Sequence, residues 1–264
     1  MTESTSVNSD AWDPKECSIF FSSWWLDAVA GKENWGRAEV IENGKLVAMM
    51  PWARKIRFKK FVCLQQPPLT QTLGPWFARP AEGTKYAKML ARQKDLTEKL
   101  ISQLPKCDYF QQNFSPEITN WLPFYWKGYK QTTRYTYRIE NLFDTDSLWA
   151  NLLDKIRTDI RKASKKGIVV EKSNENIEEF LELNEMTFAR QGKTLPYTRE
   201  FVKNLHRKCQ EKSASAIFFA RDQNMRPHAA VYLVWNKNCA YYLMGGGDPT
   251  LRNSGATSLA LWEA

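Results

Sequence analysis

The residues best able to do chemistry lie late in the chain, in Tyr241-Tyr242-Leu243-Met244-Gly245-Gly246-Gly247-Asp248-Pro249, Leu251-Arg252-Asn253-Ser254-Gly255-Ala256-Thr257 and Leu259-Ala260-Leu261-Trp262. An aromatic strand runs into three glycines, a turn at Asp248-Pro249, and an Arg-x-x-Gly-Ala segment that opens an apolar, helix-like run. Bare amides at a helix N-terminus aim several N–H donors and the positive end of the macrodipole at one spot, which suits a phosphate or pyrophosphate. Arg252 can add a charged fork to such an anion. The other reading of the same residues is a glycine-rich turn that closes a strand-to-helix connection.

The elements that must position this loop fall into two halves of similar grammar. In the first, an amphipathic helix around Phe20 to Val29 leads to a hairpin made of Arg37 to Ile41, a turn at Glu42-Asn43-Gly44, and Leu46 to Trp52. A proline-rich connection follows, then helical periodicity over Lys85 to Leu104, a strand over Tyr109 to Phe114, and an alternating aromatic strand over Thr132 to Ile139. The second half reads as a helix over Ser147 to Lys166 stopped by Gly167, a strand over Ile168 to Lys172, and helices over Ile177 to Gln191 and Thr198 to Glu211. Strands over Ala214 to Arg221, His228 to Trp235 and Ala240 to Met244 complete it, the last two paired through an Asn236-Lys237-Asn238 turn. This is α+β grammar with mixed, largely antiparallel sheets and flanking helices.

Composition bounds the function without choosing it. A chain of 264 residues, 43% hydrophobic, can bury a large core as one long domain or two compact halves. No run of about 18 uncharged apolar residues appears, so no membrane-spanning helix is expected. The Ser/Thr/Asp-rich start lacks a basic segment followed by an apolar core, and residues 1–15 read as a disordered lead-in. Cys17, Cys63, Cys107, Cys209 and Cys239 are widely spaced and form no Cys-x-x-Cys pair, which fits reduced, packed thiols in a cytoplasmic protein. With His206 and His228 as the only histidines and no ligand spacing around them, no metal is expected. The net charge of +9 concentrates in Arg54-Lys55-Ile56-Arg57-Phe58-Lys59-Lys60 and in Lys155 to Lys166. Such faces could steer an acyl-CoA, a nucleotide-linked sugar precursor or a charged tRNA, and charge does not choose among them.

Arg252-x-x-Gly255-Ala256-Thr257 resembles a relaxed form of the Arg/Gln-x-x-Gly-x-Gly/Ala loop with which GNAT acyltransferases hold the pyrophosphate of acyl-CoA, Thr257 departing from the strict pattern. The wider wording from Tyr241 through Trp262-Glu263 resembles the Fem-like, methicillin-resistance-type branch, whose members carry two GNAT-type halves. Ile156-Arg157-x-x-Ile160-Arg161-Lys162-Ala163-x-x-x-Gly167, Phe188-Ala189-Arg190-Gln191-Gly192 and Pro196-Tyr197 fit as well, and the resemblance is strongest from about Arg134 onward.

The resemblance implies two GNAT-like halves, over residues 16–141 and 142–264, and transfer of an acyl group from acyl-CoA, acetyl-CoA first among donors, to an amine of a sugar, peptide or cell-envelope precursor. Arg252, Asn253, Ser254, Gly255 and Ala256 then hold the donor's phosphates, and Gly245, Gly246 and Gly247 lie where backbone must approach closely. Tyr242 is the candidate leaving-group acid or oxyanion donor, or else a packed aromatic on a hairpin face. His228 is a candidate base, or else a sheet-face residue beside Ala230 and Tyr232. Arg190, Gln191 and Tyr197 form the acceptor side, or else Arg190 and Gln191 simply finish a helix at Gly192. An aminoacyl-tRNA-dependent transferase would share the fold, although no sustained heptad block marks a coiled-coil arm. A non-catalytic binding module is the third reading. The chain stops inside an apolar helix pattern at Trp262-Glu263-Ala264, so the second half is expected to lack its closing segment and to favour self-association.

Overall fold

The computed structural model describes residues 17–264, and the expected lead-in lies outside them. The chain divides into two compact units, one ending at Thr133 and the other spanning Arg134–Ala264. Each holds its own sheet.

In the first unit, helix α1 (Ser23–Ala30) buries Trp25, Leu26 and Val29 and leads to strands β1 (Trp35–Glu42) and β2 (Lys45–Arg57), which pair antiparallel. Asn43 and Gly44 take φ of 52° and 73°, the left-handed pair that a two-residue hairpin demands. Strand β3 (Phe61–Gln65) continues the sheet antiparallel to β2, and the short β4 (Trp76–Phe77) also pairs with β2. Helix α2 (Tyr86–Ser102) then crosses over to β5 (Tyr109–Gln111), which lies parallel to β3. Parallel neighbours require such a crossover. Leu96 and Leu100 of α2 pack on Ala38, Val40, Ala48 and Met50, with Phe124 of the short helix α3 (Leu122–Trp126) closing the cluster.

The strand expected over Thr132 to Ile139 does not form. Among the described residues it pairs with no strand, and Tyr135 and Tyr137 are 94% and 101% exposed. Its alternation fits a pleat, but strand preference is realised only where one face is buried against neighbours, and neither face is buried here.

The second unit opens with α4 (Thr145–Asn151) and α5 (Asp154–Lys165), where one helix was expected. The break at Leu152-Leu153 is stabilised by Arg157, whose Nη1 donates to the carbonyls of Trp149 at 3.3 Å and Ala150 at 2.7 Å. These end carbonyls of α4 would otherwise lack partners. Gly167, at φ 71°, stops α5 as expected, and Ile168 N donates back to Ala163 O at 3.1 Å. Strand β6 (Val169–Ser173), helices α6 (Ile177–Ala189) and α7 (Arg199–Glu211), and strands β7 (Ser215–Arg221), β8 (Pro227–Trp235) and β9 (Ala240–Gly247) follow, with α8 (Ala256–Glu263) last. The sheet order is β6-β7-β8-β9, all antiparallel. On one face Ile160 and Ala163 of α5 and Leu259 and Ala260 of α8 bury Ala220, Ala229 and Val231. On the other, Phe180 of α6 and His206 of α7 each have ring centroids 5.6 Å from Tyr232 of β8.

That second face carries a buried titratable group. His206 Nε2 lies 2.9 Å from the Asn174 carbonyl, which can only accept, so Nε2 bears the proton and Nδ1 accepts from the Tyr232 hydroxyl at 2.9 Å. Burial holds the imidazole below its ordinary pKa. A depressed folded pKa means that the stabilisation is full above the unfolded value of about 6.5 and is lost as pH falls through the lower folded value. Scanning calorimetry from about pH 7 to about pH 5 is therefore expected to show a falling Tm, with a smaller fall in His206→Gln. Equal pH dependence in the two proteins would remove His206 as the cause.

Candidate active site

Strand β9 holds the residues singled out by sequence, but not as a strand followed by a glycine loop. Gly245, Gly246 and Gly247 lie inside the ladder opposite Val231, Ala230 and Ala229. Tyr232 pairs with Met244 while Leu233 pairs with Tyr242, so Leu243 is an extra, bulged residue. A bulge takes one residue's backbone out of the ladder and reverses which face the following side chains occupy.

The bulge decides where Tyr242 points. Val231 and Leu233 belong to the α5–α8 side, and their partners are Gly245 and Tyr242, so the Tyr242 ring lies along that side with its hydroxyl over Gly245. A Cβ at Gly245 would collide with that hydroxyl. Tyr242 remains 49% exposed, and burial of the rest raises its phenol pKa. It is therefore protonated at neutral pH and able to donate.

Gly246 faces the other way, toward α6. A Cβ there would sit 2.5 Å from Asn184 N and 2.5 Å from the Leu183 carbonyl carbon, so helix backbone rests directly on strand backbone. Asn184, 2% exposed, fastens the two: its Nδ2 donates to Gly245 O at 2.7 Å and its Oδ1 accepts from the Tyr197 hydroxyl at 3.1 Å. Thr187 Oγ1 accepts from Gly247 N at 3.0 Å. Sequence reasoning passed over both residues. The available signal was a polar pair three apart on a helix that also buries Phe180 and Leu183.

Tyr197 reaches this junction from the connection between α6 and α7, where burial pushes its phenol up to about 12. It lines a shallow cleft with Glu185, Ala189, Lys193, Leu195 and Arg199. Arg190 and Gln191 are exposed at the end of α6, where their amides close the helix on Met186 O and Phe188 O before Gly192, at φ 68°.

The ring of His228 meets Asp222. Ala220 pairs with Ala229 while Arg221 pairs with Pro227, so His228 is itself an extra, bulged residue of β8. Its Nε2 lies 3.3 Å from Asp222 Oδ2, and its buried Nδ1 has no hydrogen-bond partner among the described residues. Asp222 also accepts from Arg226 Nε at 2.8 Å and from the amides of Asn224 and Arg226. These contacts, the Arg226 side chain first, hold its carboxyl well below the usual carboxylate range.

After β9, Asp248 accepts from Thr250 N at 2.7 Å and organises the turn, and its own amide donates to His228 O at 3.1 Å. A short 3₁₀ turn over Arg252–Ser254 then meets α8. Gly255 takes φ 84° and presses on α5, where a Cβ would collide with Asp159 O and lie 2.9 Å from the Asp159 carbonyl carbon. Ser254 is buried and its hydroxyl accepts from Ala256 N at 3.3 Å, while Leu259 N makes the helical bond to Gly255 O at 3.2 Å. The amides of Thr257 and Ser258 are thus helix-end donors beyond the reach of intrahelical carbonyls. Arg252 and Asn253 are exposed beside them. Among the described residues no group of His, Cys, Asp or Glu is placed to hold a metal ion.

Comparison with known proteins bears on the second unit and on the fold. Residues 150–264 match the family model described as the acetyltransferase (GNAT) domain. A solved structure, the crystal structure of FemX, is similar to this chain with a TM-score of 0.62 at 14% identity, over 93% of this chain and 79% of that one. No curated protein matches. Residues 150–264 thus carry a GNAT acetyltransferase domain, and over both units the fold is like that of FemX.

Proposed function

We propose that the second unit transfers an acyl group from acyl-CoA, acetyl-CoA being the first donor to test, to an amine of a sugar, peptide or cell-envelope precursor in the cytoplasm. The observation that carries this reading is the Arg252–Ala256 turn. It follows a bulged strand directly, is braced on α5 through Gly255, and ends at the free amides of α8. Oriented amides with one exposed guanidinium suit a pyrophosphate.

In this reading the amine nitrogen attacks the thioester carbonyl carbon, the carbon–sulfur bond breaks, and the departing thiolate takes a proton from Tyr242. The amine's own proton leaves to solvent. Backbone freed by the Leu243 bulge is the nearby source of an oxyanion donor. His228 is assigned to bracing the β7–β8 turn through Asp222 rather than to this proton transfer. The cleft at Tyr197, with Arg190 and Gln191 at its helix end, is assigned to the acceptor, which a planar guanidinium would meet through a carboxylate or diphosphate.

The test is calorimetric titration with acetyl-CoA. Arg252→Ala is expected to weaken donor binding by about 1.5–3 kcal/mol, roughly 10- to 150-fold, with an unchanged unfolding midpoint. Unaltered affinity would refute the phosphate assignment. Turnover with aminoacyl-tRNA and none with any acyl-CoA would move the donor to that class, for which the exposed cations of α5 beside Gly255 are the supporting feature.

A further inference from the structure

Between Glu42 and Glu82 the chain contains no acidic residue, and most of its cations there crowd into Arg54, Lys55, Arg57, Lys59 and Lys60. The structure places all five on one hairpin. The outer half of β2 pairs with β3 through Arg54 opposite Leu64, Lys55 opposite Cys63, Ile56 opposite Val62 and Arg57 opposite Phe61. The turn closes with Lys60 N donating to Arg57 O at 3.2 Å. Apolar side chains are mixed among the cations and left in solvent: Phe58 is 85% exposed, Ile56 57% and Phe61 43%.

The turn residues are also the wrong ones for ease of folding. Phe58 and Lys59 take φ of 50° and 61°. Left-handed backbone is uncommon outside Gly, Asn and Asp, and for a bulky side chain it is an outlier. The β1–β2 hairpin of the same sheet meets the equivalent demand with Asn43 and Gly44. Here a phenylalanine is held in a strained turn and shown to solvent.

We propose that this hairpin docks the protein on an anionic lipid bilayer surface, Phe58 and Ile56 entering the interface while the surrounding cations meet lipid phosphates. An aromatic flanked by Lys and Arg is the pattern that partitions to such surfaces, since apolar burial and attraction to acidic headgroups act together. Asp108, whose carboxylate accepts from Val62 N at 2.8 Å, is outnumbered by the five cations. Single-stranded RNA would also attract the charge, but it is bound by flat stacking platforms. Phe58 and Phe61 instead meet edge to face, centroids 6.4 Å apart at 89°, and Lys60 Nζ lies 5.3 Å over the Phe61 ring. Among the described residues no helix is long and apolar enough to cross a membrane, so the attachment is peripheral. The proposal stands on the first unit alone and is independent of the donor assigned to the second.

The experiment is co-sedimentation of the full chain with vesicles of phosphatidylcholine and with vesicles in which part of it is replaced by phosphatidylglycerol, at low and near-physiological salt. Binding is expected only to the anionic vesicles and to weaken with salt. Charge reversal in Lys59→Glu with Lys60→Glu is expected to lower partitioning about tenfold or more. Phe58→Gly separates docking from folding, because it relaxes the turn's positive φ. Its unfolding midpoint should hold or rise while partitioning falls about tenfold. Equal binding to neutral vesicles, no binding to either, or full binding by Phe58→Gly would each overturn the proposal. Binding of a single-stranded RNA that the same variants abolish, with no vesicle binding, would assign the hairpin to nucleic acid instead.

Discussion

Tyr242→Phe is expected to lower kcat by about 10²- to 10⁴-fold while leaving donor affinity and thermal stability nearly unchanged. The substitution removes one oxygen from a ring that is 49% exposed, so little packing is lost. In the proposed mechanism what disappears is the proton for the leaving group, which the protonated phenol would supply. Interactions made only in the transition state appear in kcat rather than in binding, which is why the split between the two carries the test. A donor with a more acidic thiol should recover much of the loss, since its thiolate leaves without help. A drop in stability with proportionate loss of both parameters would mean that Tyr242 is a packed aromatic and that the acid lies elsewhere. His228→Gln gives the matching control, since its ring meets Asp222 and has no part in the proposed proton transfer.

The face that Tyr242 occupies was not legible in the sequence. Read with a strict period of two, Tyr242, Met244 and Gly246 share a face of β9. The bulge at Leu243 moves Tyr242 to the face of Gly245 and Gly247. No residue type announces a bulge at a leucine, because the extra residue is set by how β8 and β9 register over helices on both sides. Local signals fared better where a local cause was sufficient. Asn43-Gly44 fixed the first hairpin, Gly167 ended α5, and the 3.6-residue pattern found α2. The break between α4 and α5 depends on Arg157 reaching back to two carbonyls, a contact that the unbroken periodicity hid. The failure of Thr132 to Ile139 to pair has the same root, since an alternating pattern states what a strand would bury but supplies no partner. The Arg252 loop could be found by its residues. That Gly255 presses on Asp159, and so ties the loop to α5, could not.

Gly246→Val is expected to cost about 3 kcal/mol or more and to lower the unfolding midpoint by about 10 °C. The reason is the kind of atom in the way. A Cβ at this position meets Asn184 N and the Leu183 carbonyl carbon at 2.5 Å and Leu183 Cβ at 2.8 Å, so relief requires moving α6 off β9. That movement would also break Asn184 to Gly245 O and Thr187 to Gly247 N, bonds whose buried partners then go unpaired. Gly247→Ala is the contrast. Its Cβ would meet His228 O at 3.3 Å and Ala229 Cβ at 3.9 Å, a fit that small shifts can accommodate, and the backbone has no positive φ to forbid it. Its effect should stay within about 1 kcal/mol, because the restricted unfolded chain offsets the tighter contact. Chemical denaturation of the two variants beside acetyl-CoA titration distinguishes two roles for the same glycines. If Gly246→Val folds with an ordinary midpoint but no longer binds donor, the close approach serves the ligand, and the packing of α6 on β9 is not what requires glycine there. If it unfolds while Gly247→Ala keeps both midpoint and affinity, the glycine run is explained by a helix resting on a strand, and donor recognition belongs to Arg252 and the amides of α8.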